Sequence, residues 1–209
     1  MLTLYYTPYT CALASHIALE DAGADYETVR IDFSANEQRQ PAYLAINPKG
    51  RVPSLVSDRG VLTETPALLV FIAQSFPHAK LAPLDDPFAF ARVQAFNSFL
   101  CSTVHVAHAH RMRGYRWADD PEAIAAMQRK APQSVAEGFS HIERDMLIGP
   151  WVMGENYSIC DPYLFTLAQW LKADGVDPAS LPRIQEHSRR MAERLSVRNA
   201  LAAELAARE

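Results

Sequence analysis

The chain has 209 residues, 49% of them hydrophobic and 21% charged, with a formal net charge of −4. That composition describes a globular protein with room for a substantial core, excludes a disordered chain and gives no reason to expect nucleic acid as a partner. The longest unbroken apolar run, Ala67 to Ala73, is far too short for a membrane span, no secretory leader is visible after Met1, and three widely spaced cysteines argue for a reduced, cytoplasmic protein without a disulfide framework.

Leu2, Leu4 and Tyr6 alternate with Thr3 and Tyr5 and read as a strand. Thr7-Pro8-Tyr9-Thr10 breaks the pattern, and a helical period starts at Cys11, with Thr10 able to cap it. Ala22-Gly23-Ala24 stops that helix, and Tyr26 to Ile31 alternates as a second strand. Ala42 to Ile46 is a short helical turn. Val52 to Val56 and Val61-Leu62 form a hairpin about Ser57-Asp58-Arg59-Gly60, and Glu64 to Phe76 is a strongly apolar helix.

Pro77 to Pro87 is a linker, and beyond it strand signals vanish. One long helix is expected from Phe88 to about Gly114, and another from Pro121 to Leu147 that Pro132 should kink or split. Asp161 to Ala173, Leu181 to Leu195 and Val197 to Ala207 supply three more. The expected organisation is an α/β domain over residues 1–78, a linker over 79–87 and an all-helical domain over 88–209.

Three stretches of the first domain carry chemistry. Cys11 arrives at a helix N-terminus directly after a strand, where the helix dipole and first-turn amides favour a thiolate; a small buried cysteine is the alternative. Pro53 opens a strand where no ladder donor is required. If the Val52–Pro53 bond is cis, the Val52 backbone turns outward to pair with an extended peptide, whereas a trans bond makes it an ordinary edge proline. Thr65, just before Pro66, offers a hydroxyl and an N–H to a carboxylate, while Glu64 beside it attracts an ammonium; read alone, the pair is also a plain helix cap. Together these describe a ligand with an amino-acid head, a peptide middle and a thiol end, which is glutathione.

The residues Leu4-Tyr5-Tyr6-Thr7-Pro8 with Cys11, His16-Ile17-Ala18-Leu19, the run Ala45 to Leu55 followed by Leu62 to Ala67, and Asp161-Pro162-Tyr163-Leu164-Phe165 extend over essentially the whole chain. In them the chain resembles a bacterial glutathione S-transferase, most similar to the beta class. The resemblance implies a thioredoxin-like first domain, a helical second domain, glutathione as co-substrate, a small electrophilic substrate, a role in detoxification and a homodimer. It places Cys11 opposite the glutathione sulfur, gives backbone pairing to Val52 beside a cis Pro53, assigns the γ-glutamyl end to Glu64 and Thr65, and makes His105 an active-site histidine. Thr65 stands where the family has serine, and Ser34 to Glu37 lack the family's lysine, so no residue is assigned to the glycyl carboxylate.

Tyr9, His108, Arg111 and Tyr115 are assigned to the electrophile site, as part of an aromatic and cationic wall; a solvated helix end is the alternative for the last three. Cys101, His105 and His108 also have metal-ligand spacing, but one helix supplies at most three ligands, and no metal is expected. Ser158 and Asp161 read as a capping box and Cys160 as a packed side chain; His16 lies on a helix face away from Cys11. The reaction expected is conjugation of the glutathione thiolate to small hydrophobic or aromatic electrophiles. The alternatives are a monothiol oxidoreductase using Cys11, since no second cysteine stands in C-x-x-C spacing, or a non-catalytic ligand carrier.

Overall fold

Alternation of buried and half-buried side chains makes Leu2–Tyr6 the strand β1, with Leu4 and Tyr6 turned into the core. The computed structural model describes residues 1–206. After β1 come α1 (Ala12–Ala22), β2 (Tyr26–Arg30), the short helix α2 (Pro41–Leu44), the hairpin β3 (Ser54–Ser57) and β4 (Gly60–Thr63), and α3 (Thr65–Ser75). The sheet order is β2-β1-β3-β4. β1 runs parallel to β2 and antiparallel to β3, and β3 is antiparallel to β4, a thioredoxin-like arrangement.

The first compact unit comprises residues 1–90 together with the described residues from Met191 onward. Its centre is α1, which is buried on every side from Ala12 to Leu19. An Ala-rich helix without a wide polar face is suited to that position, because it is covered all round. Part of the cover is α9 (Leu195–Ala206), which packs on α1. Buried His16 meets Glu204 at 3.2 Å, Asp21 accepts from Arg194 at 2.6 Å and Glu20 accepts from Asn199 at 2.9 Å. Residues 191–206 therefore group with the first unit rather than with the helices that precede them in sequence. Ala207, the expected end of that helix, lies outside the described residues, as does the end of the 88–209 stretch.

The second unit, residues 91–190, is helical. The single helix expected from Phe88 is α4 (Pro87–Phe99), a π turn at Leu100–Val104 and α5 (His105–Arg113). Ser102, Thr103 and Val104 are weak helix formers, so the regular hydrogen-bond ladder gives way there. α6 (Pro121–His141) runs unbroken through Pro132, which costs one ladder bond but does not split a helix of 21 residues anchored by Val135 and Phe139 in the core. Gly138 lets α6 approach the π turn, since a Cβ there would sit 3.2 Å from Val104 Cγ2. α7 (Cys160–Ala168) ends earlier than expected and continues as tight turns to Gly175, and α8 spans Pro182–Glu193.

Candidate functional site

Thr10 shapes the start of α1. Its hydroxyl donates to Thr7 O at 2.7 Å and accepts from the Ala12 N–H at 3.3 Å. The N–H groups of Leu13 and Ala14 bond to the Thr10 and Cys11 carbonyls. Those amides are engaged within the turn, and the positive end of the helix dipole favours a thiolate at Cys11. The Cys11 thiol donates to Val52 O at 3.6 Å, which brings the cysteine against the segment expected to hold a peptide. The Val52–Pro53 bond is cis, and β3 begins at the next residue.

Glu64 and Thr65 stand together at the start of α3. Thr65 is buried, while the Glu64 carboxylate is exposed and bound by Lys49, which also donates to Thr63 Oγ1 at 2.7 Å. Glu64 has φ 76° and Tyr9, in the loop before α1, has φ 62°. Such conformations cost a non-glycine residue about 1–3 kcal/mol and gather at binding and catalytic sites. Two candidate residues of the first unit thus carry backbone geometry that folding alone disfavours.

In the second unit, His105 opens α5 directly after the π turn, with its ring 5.2 Å from Trp170 and 6.2 Å from His108. His108 stacks on Trp170 at 4.2 Å, and its Nδ1 meets both oxygens of buried Asp174, at 2.9 and 2.8 Å. Arg111 reaches Asp174 at 3.7 Å. One buried carboxylate thus engages both residues, and the wall is more aromatic than cationic. Tyr115 lies in the 3-10 turn Gly114–Arg116, exposed, as Tyr9 is in the first unit. Among the described residues no group of three or more His, Cys, Asp or Glu is placed to hold a metal ion.

The sequence reading missed Lys49, Trp170 and Asp174. Lys49 lies within the most specific motif, where only its position singles it out. Nothing in the sequence signals that Asp174 would meet His108 across 66 residues.

The remaining motifs are structural. Asp161 accepts from Ser158 N at 2.7 Å, Val152 N at 2.8 Å and His187 Nε2 at 3.0 Å, while Ser158 Oγ accepts from the Cys160 N–H at 3.3 Å. The Cys160 thiol, fully buried, donates to Val93 O, and burial pushes its pKa well up. A cavity of about 230 Å³ lined by Leu171, Pro178, Leu181 and Ile184 contains none of the candidate residues.

Residues 1–74 match the family model described as "Glutathione S-transferase, N-terminal domain". The chain is 32% identical to glutathione S-transferase GstA of Escherichia coli O157:H7 over 97% of its own length and 98% of the relative's. It is 30% identical to maleylacetoacetate isomerase of Pseudomonas aeruginosa, covering 86% of each. A crystal structure of a glutathione transferase homologue from sulfitobacter with bound glutathione superposes with a TM-score of 0.94 at 46% identity, over 97% of this chain and 98% of that one. The bacterial beta class glutathione S-transferase of Sphingomonas chungbukensis gives 0.84 at 33% identity, over 97% and 98%.

Proposed function

The chain belongs to the glutathione S-transferase family, and from that premise we propose that it binds glutathione along the sheet edge at Val52–Pro53 and transfers its thiolate to small hydrophobic or aromatic electrophiles. The observation that carries the reading is the approach of the Cys11 thiol to Val52 O, 3.6 Å, beside a cis proline. It sets the start of α1 next to the backbone with which a tripeptide would pair. Glu64 and Thr65 then receive the γ-glutamyl head, the first through its carboxylate and the second through its hydroxyl and N–H.

In the reaction the glutathione sulfur attacks an electrophilic carbon, a carbon–sulfur bond forms and the leaving group departs with its electron pair. The protein contributes orientation and a field that favours the thiolate, from the α1 dipole and from His105. The proposed electrophile contacts are Tyr9 on the first unit and His108, Arg111 and Tyr115 on the second. Because Asp174 already pairs with Arg111, a neutral aromatic electrophile suits the site better than an anion.

Monothiol exchange, in which Cys11 itself takes up glutathione as a mixed disulfide, is favoured as a second reading by that same closeness of Cys11 to the peptide edge. A Cys11→Ala protein separates the two. On the first reading it still conjugates a chlorodinitrobenzene, within about tenfold of the unaltered rate. Complete loss there, with loss of activity on a glutathione mixed disulfide, installs the second. Binding of dyes without any uptake of glutathione would instead mark a ligand carrier. The proposal includes a homodimer acting in the reducing cytoplasm in detoxification, supported by three cysteines in no disulfide and by exposed Phe88 and Val61 on the first unit. Phe88→Asp should shift its sedimentation toward the monomer.

A further inference from the structure

We propose that Tyr43, Asn47 and Ser54 are positioning residues for glutathione, forming a buried clamp on the Arg51 carbonyl that holds the Val52–Pro53 backbone in place. The proposal rests on the glutathione reading above and extends it to residues that touch no substrate.

Tyr43 Oη donates to Arg51 O at 2.7 Å, and Asn47 Nδ2 donates to the same oxygen at 2.7 Å. Ser54 Oγ lies 2.9 Å from Tyr43 Oη and accepts from Asn47 Nδ2 at 3.2 Å. Since the Tyr43 proton is committed to Arg51, the Ser54 hydroxyl donates to Tyr43, and every donor in the set has an acceptor. All three side chains are buried, with Asn47 at 1% exposure and Ser54 at 0%. Burial also holds the Tyr43 phenol above its ordinary pKa, so it remains a donor through neutral pH.

The clamp grips residues 51 and 54, one on each side of Val52 and Pro53. The loop before it is folded around Asn47, whose Oδ1 accepts from Lys49 N at 3.2 Å and whose carbonyl accepts from Gly50 N at 2.9 Å. Gly50 is required there: its φ is 60°, and a Cβ would lie 2.8 Å from Gln38 O. On the far side, Ser54 is in register with Tyr5 of β1 and Thr63 of β4. The position of Val52 O, and through it the contact with Cys11, is thereby referred to the sheet. Three buried polar side chains are a costly way to fill space, since each must be desolvated. A closed network of this kind fixes one backbone conformation, which an apolar filling would leave looser.

The test uses calorimetric titration with glutathione, together with the rate at which iodoacetamide alkylates Cys11, read by peptide mass spectrometry. Tyr43→Phe keeps the ring and removes the donor. It should weaken glutathione binding about tenfold and change the Cys11 alkylation rate several-fold. Ser54→Ala removes only the cross-link and should weaken binding about two- to threefold, which keeps the proposal testable if Tyr43→Phe does not fold. Ile72→Val, a core substitution on α3 outside the clamp, should lower the melting temperature and leave both readouts unchanged. Unchanged affinity in Tyr43→Phe and Ser54→Ala overturns the clamp, as does equal weakening in Ile72→Val. If the unaltered protein takes up no glutathione, the glutathione reading itself falls, and the clamp proposal with it.

Discussion

Glu64 is held at φ 76°, a conformation that glycine would adopt more cheaply, and its carboxylate stays exposed beside Lys49. An exposed ion pair is worth at most about 1 kcal/mol, so Lys49 does not explain why the backbone is held there. On the glutathione reading proposed above, its partner is the ammonium of the γ-glutamyl head. Glu64→Gln keeps the size and hydrogen-bonding reach of the side chain and deletes its charge. A charge-assisted hydrogen bond lost in both ground and transition states raises KM for glutathione by about ten- to a hundredfold, with kcat little altered. Steady-state kinetics with glutathione varied at saturating electrophile measure the split. A fall in kcat at constant KM would instead place the carboxylate in the chemical step.

The elements divide by how their stabilising contacts are spaced along the chain. Ser158 and Asp161 are three residues apart, and their capping box was readable because both partners lie within one helical turn. Asp161 also takes donors from Val152 and His187, the latter 26 residues away, so its removal unpairs several buried groups at once. Asp161→Ala should cost about 3–5 kcal/mol, and Ser158→Ala, which loses only the cap, about 1 kcal/mol. Chemical denaturation followed by helical circular dichroism checks the ratio; near-equal losses would mean that Asp161 acts only as a cap. The same division explains what else was legible. β1, the hairpin, α3 and the Cys11 helix start follow from alternation, turn residues and local spacing. The docking of α9 on α1 and the His108–Asp174 pair depend on which surfaces meet, and no local pattern encodes that. After α4, the π turn was missed because Phe96, Leu100 and Val104 keep an apolar spacing compatible with either ladder.

At the scale of the molecule, the return of α9 to the first unit concentrates ionisable groups around α1. Glu204 meets His16, whose ring lies 5.7 Å from those of both Tyr6 and Tyr26, and Tyr26 donates to Glu20. Burial first, then the neighbouring carboxylates, raise the pKa of Tyr6 and Tyr26, and burial raises that of Tyr43. All three phenols are therefore neutral in the folded unit at a pH where an unfolded chain, with its phenols near 10.0, has begun to ionise. Below that value folded and unfolded states bind equal numbers of phenolic protons, and the contribution to stability is complete. Above it the unfolded state binds fewer, so stability falls as pH rises from 10.0 toward the folded values. The expected outcome is alkaline unfolding of the first unit in which Tyr6, Tyr26 and Tyr43 ionise only as the chain opens. Phenolate absorbance and circular dichroism recorded together across the titration should show a late phase of absorbance that coincides with loss of helix. Smooth ionisation of all eight tyrosines near the ordinary value, with the helical signal intact, would show that these three rings are not sealed in the folded unit.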